Sequence, residues 1–247
     1  MTKLILHKKS YFDNVVIITG VHCSGKSMLS PVVCSLKKVE PIRKILTVDQ
    51  IIHLTSVKKI ELSTASFLIK QLLDKHFYEQ LIGRNTNLRP DDETSIFIAK
   101  NTNEMINRIL LKRGPKVINK HRKQKTIFAM DSHDAIMFFD IWKNINKKFK
   151  FINIYRNPID TVASWLKHGM GKMDEILINE YVMFKHQRKV FPIYQVENFN
   201  KYKKLNEIDK IISMVLHCME GEYKNYKKNK NSKNCLFLEF NDFASKT

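Results

Sequence analysis

An apolar run, VVIIT at 15–19, leads into Gly20-Val21-His22-Cys23-Ser24-Gly25-Lys26-Ser27 and then into MLSPVVCSL. The octet fits the phosphate-loop spacing G-x-x-x-x-G-K-[ST] at every position. The β-branched run before it and the helical pattern after it are the strand and helix that such a loop needs. The sequence therefore predicts a buried strand over 15–19 and a helix from Lys26 to about Lys37. Gly25 lets the backbone approach phosphate oxygens, and the helix turns its N–H groups and positive dipole end toward them. Lys26 supplies a point charge and Ser27 a hydroxyl for a phosphate oxygen or a metal. The phosphate-binding candidates are His22, Cys23, Ser24, Gly25, Lys26, Ser27 and Met28.

Further strands are expected at TIFAM (126–130), KFINIY (150–155) and CLFLEF (235–240), each short, apolar and flanked by polar residues. HDAIMFFDIWKNINKK reads as a crossover helix between the first two. IDTVASWLKH is a helix opened by Pro158, and 175–231 is helical with a break near Pro192. Residues 45–112 read as mostly helical, interrupted by LRPDDET (88–94), where Pro90 marks a helix start. Strands alternating with helices predict an α/β fold of three layers. Its central parallel sheet has four or five strands, with a helical insertion over 45–120 and ligands at the carboxyl ends of the strands. The 247 residues suffice for one such domain, and only 7 Gly and 6 Pro leave no flexible linker.

No run of eighteen apolar residues is present, and MTKLILHKKSYFDN is too briefly apolar for a secretion signal, so a cytoplasmic protein is expected. Cys23, Cys34, Cys218 and Cys235 lie far apart without a C-x-x-C pair, which points to reduced thiols and no metal site. HCMEGEY (217–223) lacks a second ligand pair for a metal. The net charge of +19 reflects Lys in a chain also crowded with Asn and Ile. Such a surface steers anions, but the aromatics lie inside apolar runs and not among the cations, so nucleic acid is not the expected partner.

The second motif is FINIYRNPIDTVASW (151–165). A strand-end Arg156 followed by a helix carrying Ser164 can form a second anion pocket, with the guanidinium gripping phosphate oxygens bidentately. A strand-end ion pair and a Ser on a helix face would fit the same spacing.

RNPIDTVASW resembles the R-N-P-x-D-x-x-x-S segment of sulfotransferases that use 3′-phosphoadenosine 5′-phosphosulfate (PAPS). GVHCSGKSML stands where that family carries its 5′-phosphosulfate loop, and FLEFNDFASKT is similar to its L-x-[YF]-E-D-[LF] ending. The three segments keep the family order over roughly 35 residues. The resemblance implies sulfonate transfer from PAPS to an acceptor hydroxyl or amine, leaving adenosine 3′,5′-bisphosphate (PAP). Arg156 and Ser164 match the 3′-phosphate ligands. The 5′ loop departs from the family in placing Cys23 before Ser24-Gly25, with the cation at Lys26 instead. The resemblance implies His133 as the base, 23 residues before Arg156, and its ordinary pKa suits proton removal at neutral pH. Asp131 is the reserve. The acceptor (carbohydrate, lipid or small molecule) would be met by the 45–120 region. Gly169-Met170-Gly171 is either a mobile segment over the site or a plain helix break.

A rival reading uses the same loop. TIFAMD fits the apolar-run-then-Asp pattern of a nucleotide hydrolase or kinase, with Ser27 and Asp131 holding Mg²⁺ and Arg84 or Arg89 clamping phosphate from a lid. It leaves RNPIDTVASW without a role.

Overall fold

The computed structural model describes residues 9–98, 101–172, 181–186 and 188–246. At its centre lie the strands β1 (Val15–Gly20), β2 (Arg43–Lys44), β3 (Phe128–His133), β4 (Lys150–Tyr155) and β7 (Cys235–Glu239). They form a five-stranded, all-parallel sheet of order β2-β3-β1-β4-β7. Every residue of β1 is buried, as the middle strand of a sheet covered on both faces should be.

Alternation along the strands sorts the two faces. Val15, Ile17, Phe128, Met130 and Phe151 point into one core. They meet α2 (Leu46–Ser56), α3 (Leu62–Leu81) and α6 (Phe139–Ile145) there, with Phe77 stacked on Phe128 and Trp142 wholly buried. Val16, Ile18, Ala129 and Ile154 point the other way, against Leu29 and Val33 of α1 (Lys26–Cys34) and Phe240 and Phe243 of α10 (Phe240–Lys246). A third core lies beyond the strands' carboxyl ends. There Trp165 of α7 (Pro158–Lys167) meets Ile211, Met214 and Val215 of α9 (Glu207–Asn229).

The three-layer α/β architecture and its parallel sheet agree with the expectation, and so do β1, β4 and the helix after Pro158. α1 runs through Pro31 and ends at Cys34, about one turn early, where the Ser35 N–H closes onto the Pro31 and Val32 carbonyls and the Ser35 hydroxyl donates to Val32 O. β3 runs on past Met130 to His133. The crossover helix is shorter than expected, because Asp134 takes a positive φ of 57° and Ala135 donates to Thr19 Oγ1 (2.8 Å) before α6 begins. Pro90 starts no helix. Asn87 instead binds Asp92 and Thr94 and accepts from the Arg89 amide, closing a polar turn. The two-residue β2 is an addition to the expected strands.

The expected helix over 175–231 holds for α9 and is corrected before it. Residues 175–180 and 187 lie outside the described residues, and β5 (Met183–His186) pairs antiparallel with β6 (Lys189–Pro192). Phe184 faces Phe191 across the pair with ring centroids 5.5 Å apart, and Arg188 at φ 67° makes the turn. Two remaining helices, α4 (Thr102–Asn107) and α5 (Pro115–Gln124), precede β3, and α8 (Phe199–Tyr202) precedes α9. Residues 1–8, which carry most of the rejected signal segment, also lie outside the described residues. Among the described residues no helix is long and apolar enough to cross a membrane.

Candidate functional site

The register of the sheet gathers the site. Gly20 is paired with His133, and Asp131 with both Ile18 and Lys44, so the carboxyl ends of β2, β3 and β1 form one edge. Arg156 follows β4 directly, and Phe240 follows β7.

The loop between β1 and α1 is compact. Gly20 has φ 147°, and a Cβ there would overlap the Ile154 carbonyl oxygen and crowd Ser24 Oγ. Cys23 takes φ 66°, Gly25 φ 109°, and the Ser24 amide closes onto the Val21 carbonyl at 3.0 Å. This leaves the first amides of α1, which have no intrahelical acceptor, facing the loop. Ser24 Oγ is buried with no partner among the described residues. Lys26 is buried and folds back over its own loop, donating to Gly20 O (2.8 Å) and Val21 O (3.4 Å). Those are weak neutral acceptors for an ammonium, which an anion in the loop would outcompete. Ser27 and Met28 are exposed at the mouth.

His22 and His133 lie side by side, ring centroids 5.3 Å apart. His22 is held from behind by the Trp165 indole N–H on its carbonyl (2.8 Å) and by Tyr181 Oη on its Nδ1 (3.3 Å). Its pKa is lowered to about 3, first by burial and then by the Lys26 charge. Burial also drives His133 well below 6.5, with Lys26 and His22 adding to it, so both imidazoles are neutral at pH 7. His133 Nδ1 is buried without a partner. Its backbone N–H and the Ser132 hydroxyl both donate to the Asp49 carboxyl (3.1 and 2.5 Å), and burial raises Asp49 to about 8.

Asp131 is placed two residues before the strand end. It is buried, with Oδ1 unpartnered and Oδ2 3.9 Å from the Lys44 ammonium, and desolvation raises its pKa against the pull of Lys26 and Lys44. Lys44 also pairs with Glu93, which brings the 85–98 turn to the rim of the site. Arg84 and Arg89 go elsewhere, toward Glu79 (3.8 Å) and Asp92 (3.7 Å), so the clamp from a lid is not assembled.

Arg156 sits at the other side of the loop. Its guanidinium lies 4.8 Å from the Phe240 ring centroid, and Phe240 is the group that a Cβ on Gly25 would strike. One aromatic ring therefore touches both the phosphate loop and the arginine. Among the described residues Arg156 has no carboxylate partner, and its Nε is buried unpaired. The ion-pair reading of this arginine is thereby set aside. Asn157 caps α7 by accepting from the Ile159 amide (2.8 Å), with Pro158 at the first helical position. Ser164 is half-buried on α7, next to the Trp165 that braces His22.

Sequence reasoning missed Asp49, Lys44, Tyr181 and a buried Glu222, and it saw Phe240 only as part of the closing motif, without its contacts. Glu222 is buried with Oε1 unpartnered, and burial raises its pKa to about 8 against the pull of Lys26, Asn153 and Val21 nearby. It belongs to HCMEGEY and sits beside Val21 of the loop. Among the described residues no three His, Cys, Asp or Glu could hold a metal together. Gly169-Met170-Gly171 is a helix break: Gly169 has φ 67°, Met170 is buried, and Gly171 packs against Glu207.

No family model matches the sequence, and no curated protein matches it. The structure is similar in overall course to solved sulfotransferases. One is the sulfotransferase domain from the curacin biosynthetic pathway (TM-score 0.48, 9% identity, 95% of this chain and 70% of that one). Another is a sulfotransferase from Alicyclobacillus acidocaldarius (0.43, 12%, 93% and 74%). A third is sulfotransferase STF1 from Mycobacterium tuberculosis H37Rv (0.40, 8%, 95% and 64%).

Proposed function

We propose that residues 1–247 act as one P-loop sulfotransferase unit, moving a sulfonate group from PAPS to an acceptor hydroxyl or amine. The observation that carries this is the uncompensated Arg156 guanidinium, joined through Phe240 to the phosphate loop. Two cationic cradles a short way apart suit a donor with anionic groups at both ends of its ribose. A nucleoside di- or triphosphate would leave the second cradle unused.

In this reading the amides of Gly25, Lys26 and Ser27 and the Ser24 hydroxyl hold the 5′-phosphosulfate, with His22, Cys23 and Met28 lining it. Arg156 and Ser164 hold the 3′-phosphate. Lys26 leaves the Gly20 carbonyl and pairs with the bridging and sulfonate oxygens. The acceptor oxygen or nitrogen attacks sulfur in line, the sulfur–oxygen bond to phosphate breaks, and the charge left on that oxygen is met by Lys26 and the loop amides. His133 takes the acceptor's proton on its imidazole. The imidazole is already neutral, and anion binding offsets the Lys26 charge that depresses its pKa, which strengthens it as a base when donor is bound. The acceptor approaches from the β2–β3 side, where the 85–98 turn of the 45–120 region reaches Lys44.

One feature favours the rival reading: the buried, unpartnered Oδ1 of Asp131, which with Ser27 could hold Mg²⁺ beneath a nucleotide. Thermal shifts with PAP and with ADP, each with and without Mg²⁺, separate the two. Sulfotransfer predicts that PAP stabilises more than ADP without metal. It also predicts that Arg156→Ala erases this preference, by about tenfold or more in affinity, while Lys26→Ala weakens both ligands. Mg²⁺-dependent ADP binding with no preference for PAP would establish the kinase reading instead.

A further inference from the structure

Between Glu104 and Asp131 the sequence contains no acidic residue. Within that stretch Lys112, Arg113, Lys116, Lys120, Lys123 and Lys125 are all exposed. Where α4 passes into α5, the chain reads RILLKR and turns its apolar side chains outward. Leu110 is 84% exposed, more than any other large apolar residue among those described, and Ile109 is 57% exposed.

The turn is fixed from below, which is why these side chains do not fold inward. Arg108 is buried and makes a two-pronged pair with Glu40 (2.6 and 3.0 Å), and Glu104 adds a third contact at 3.0 Å. The Ile109 backbone presses on Gly83, where a Cβ would find no room. After the turn the Gly114 amide donates to Tyr78 Oη at 2.9 Å. Anchored at both ends on α3 and its carboxyl-terminal turn, the segment presents a short apolar tip in a surround where exposed cations outnumber the one exposed carboxylate, Glu104.

We propose that this turn docks the protein on an anionic lipid surface. Ile109 and Leu110 enter the headgroup region while Lys112, Arg113 and the cations of α5 meet lipid phosphates and carboxylates. Neither part suffices alone. Two or three apolar side chains bind a bilayer marginally, and about six cations bind only while salt is low, whereas the two together make a stable peripheral contact. A second copy of the chain is a poor occupant, since pairing the patch with itself would bring two strongly basic surfaces together with only Glu104 to offset them. The proposal uses no residue of the donor site and stands or falls separately from the sulfotransfer reading.

Sedimentation of the full chain with phosphatidylcholine vesicles, with and without phosphatidylserine, is the test. The protein should pellet with the serine-containing vesicles and be released by high salt. Leu110→Ser should lower that binding by about tenfold without moving the melting temperature, and Lys112→Glu with Arg113→Glu should lower it further. A Leu110→Trp variant should show a blue-shifted emission on adding the anionic vesicles. Equal pelleting with and without phosphatidylserine would overturn the proposal, as would Leu110→Ser binding like the parent protein or a tryptophan whose emission does not move. A dimer in light scattering that Leu110→Ser dissolves would assign the patch to a second copy and overturn it as well.

Discussion

His133 shows how burial can both create and limit a base. Its ring nitrogen is shut away from water beside Lys26 and His22, so it resists protonation far below the ordinary histidine range. The kcat/KM profile for sulfotransfer reports the free enzyme's ionisations. Its acid limb should therefore fall well below pH 6.5, and activity should stay level from pH 8 down through 6.5. An acid limb centred at 6.5 or above would remove His133 as the base. His133→Asn should cost about a hundredfold or more in kcat while leaving PAP binding intact, because no donor-phosphate contact is assigned to the ring. Asp49 reaches the same residue only through its backbone N–H and the neighbouring hydroxyl. It positions the strand end and leaves the imidazole free to take a proton.

At the level of elements, the β1–loop–α1 unit depends on Gly20, the first glycine of the signature, more than on Gly25. A Cβ added at Gly25 would meet the Phe240 side chain and no backbone atom. A side chain at Gly20 would collide with the Ile154 carbonyl of β4, a backbone atom fixed in the sheet, at a φ that L-residues avoid. Gly20→Ala should cost about 2 kcal/mol or more and lower the melting temperature by roughly 4–8 °C; an unchanged melting curve would show that the loop can shift. Local pattern makes this unit readable from sequence, as it does β4 and α7. Each is a short apolar run or a capped amphipathic stretch whose neighbours in sequence are also its structural context. The β5–β6 hairpin reads as helix in the sequence because Met183, Phe184, Val190 and Phe191 suit either period, and the turn at Arg188 has no glycine to announce it. Arg156 and the loop are legible as cations at strand ends. Asp49 is not, because its partners Ser132 and His133 lie more than 80 residues along the chain and only the fold of α2 over β3 joins them. Phe240 is visible as part of a motif, but its contact with both cradles exists only once β7 pairs with β4.

Over the whole molecule, the buried ionisable groups oppose one another in pH. Burial lowers His22 to about 3 and His53 to about 4. Their unfolded forms bind protons near 6.5, so their contribution to stability is complete above that pH and is lost as pH falls toward their folded values. Burial raises Asp49 and Glu222 to about 8. Their contribution is complete below an ordinary carboxyl pKa near 4 and is lost as pH rises toward 8. His133 is lowered and Asp131 and Asp134 are raised in the same way, so between about pH 4.5 and 6.5 the two kinds of loss run in opposite directions. Above 6.5 the histidines are neutral in both states and only the carboxyls still titrate. The ligand-free protein, at constant ionic strength, should accordingly lose stability between pH 6.5 and 8. Glu222→Gln should reduce that alkaline loss in part, since it removes one of the raised carboxyls while Asp49, Asp131 and Asp134 remain. Differential scanning calorimetry across this range decides the matter. Stability that rises from pH 6.5 to 8, or a Glu222→Gln protein as pH-sensitive as its parent, would mean that these carboxyls are ionised in the folded state and that the floor beneath the phosphate loop is charged.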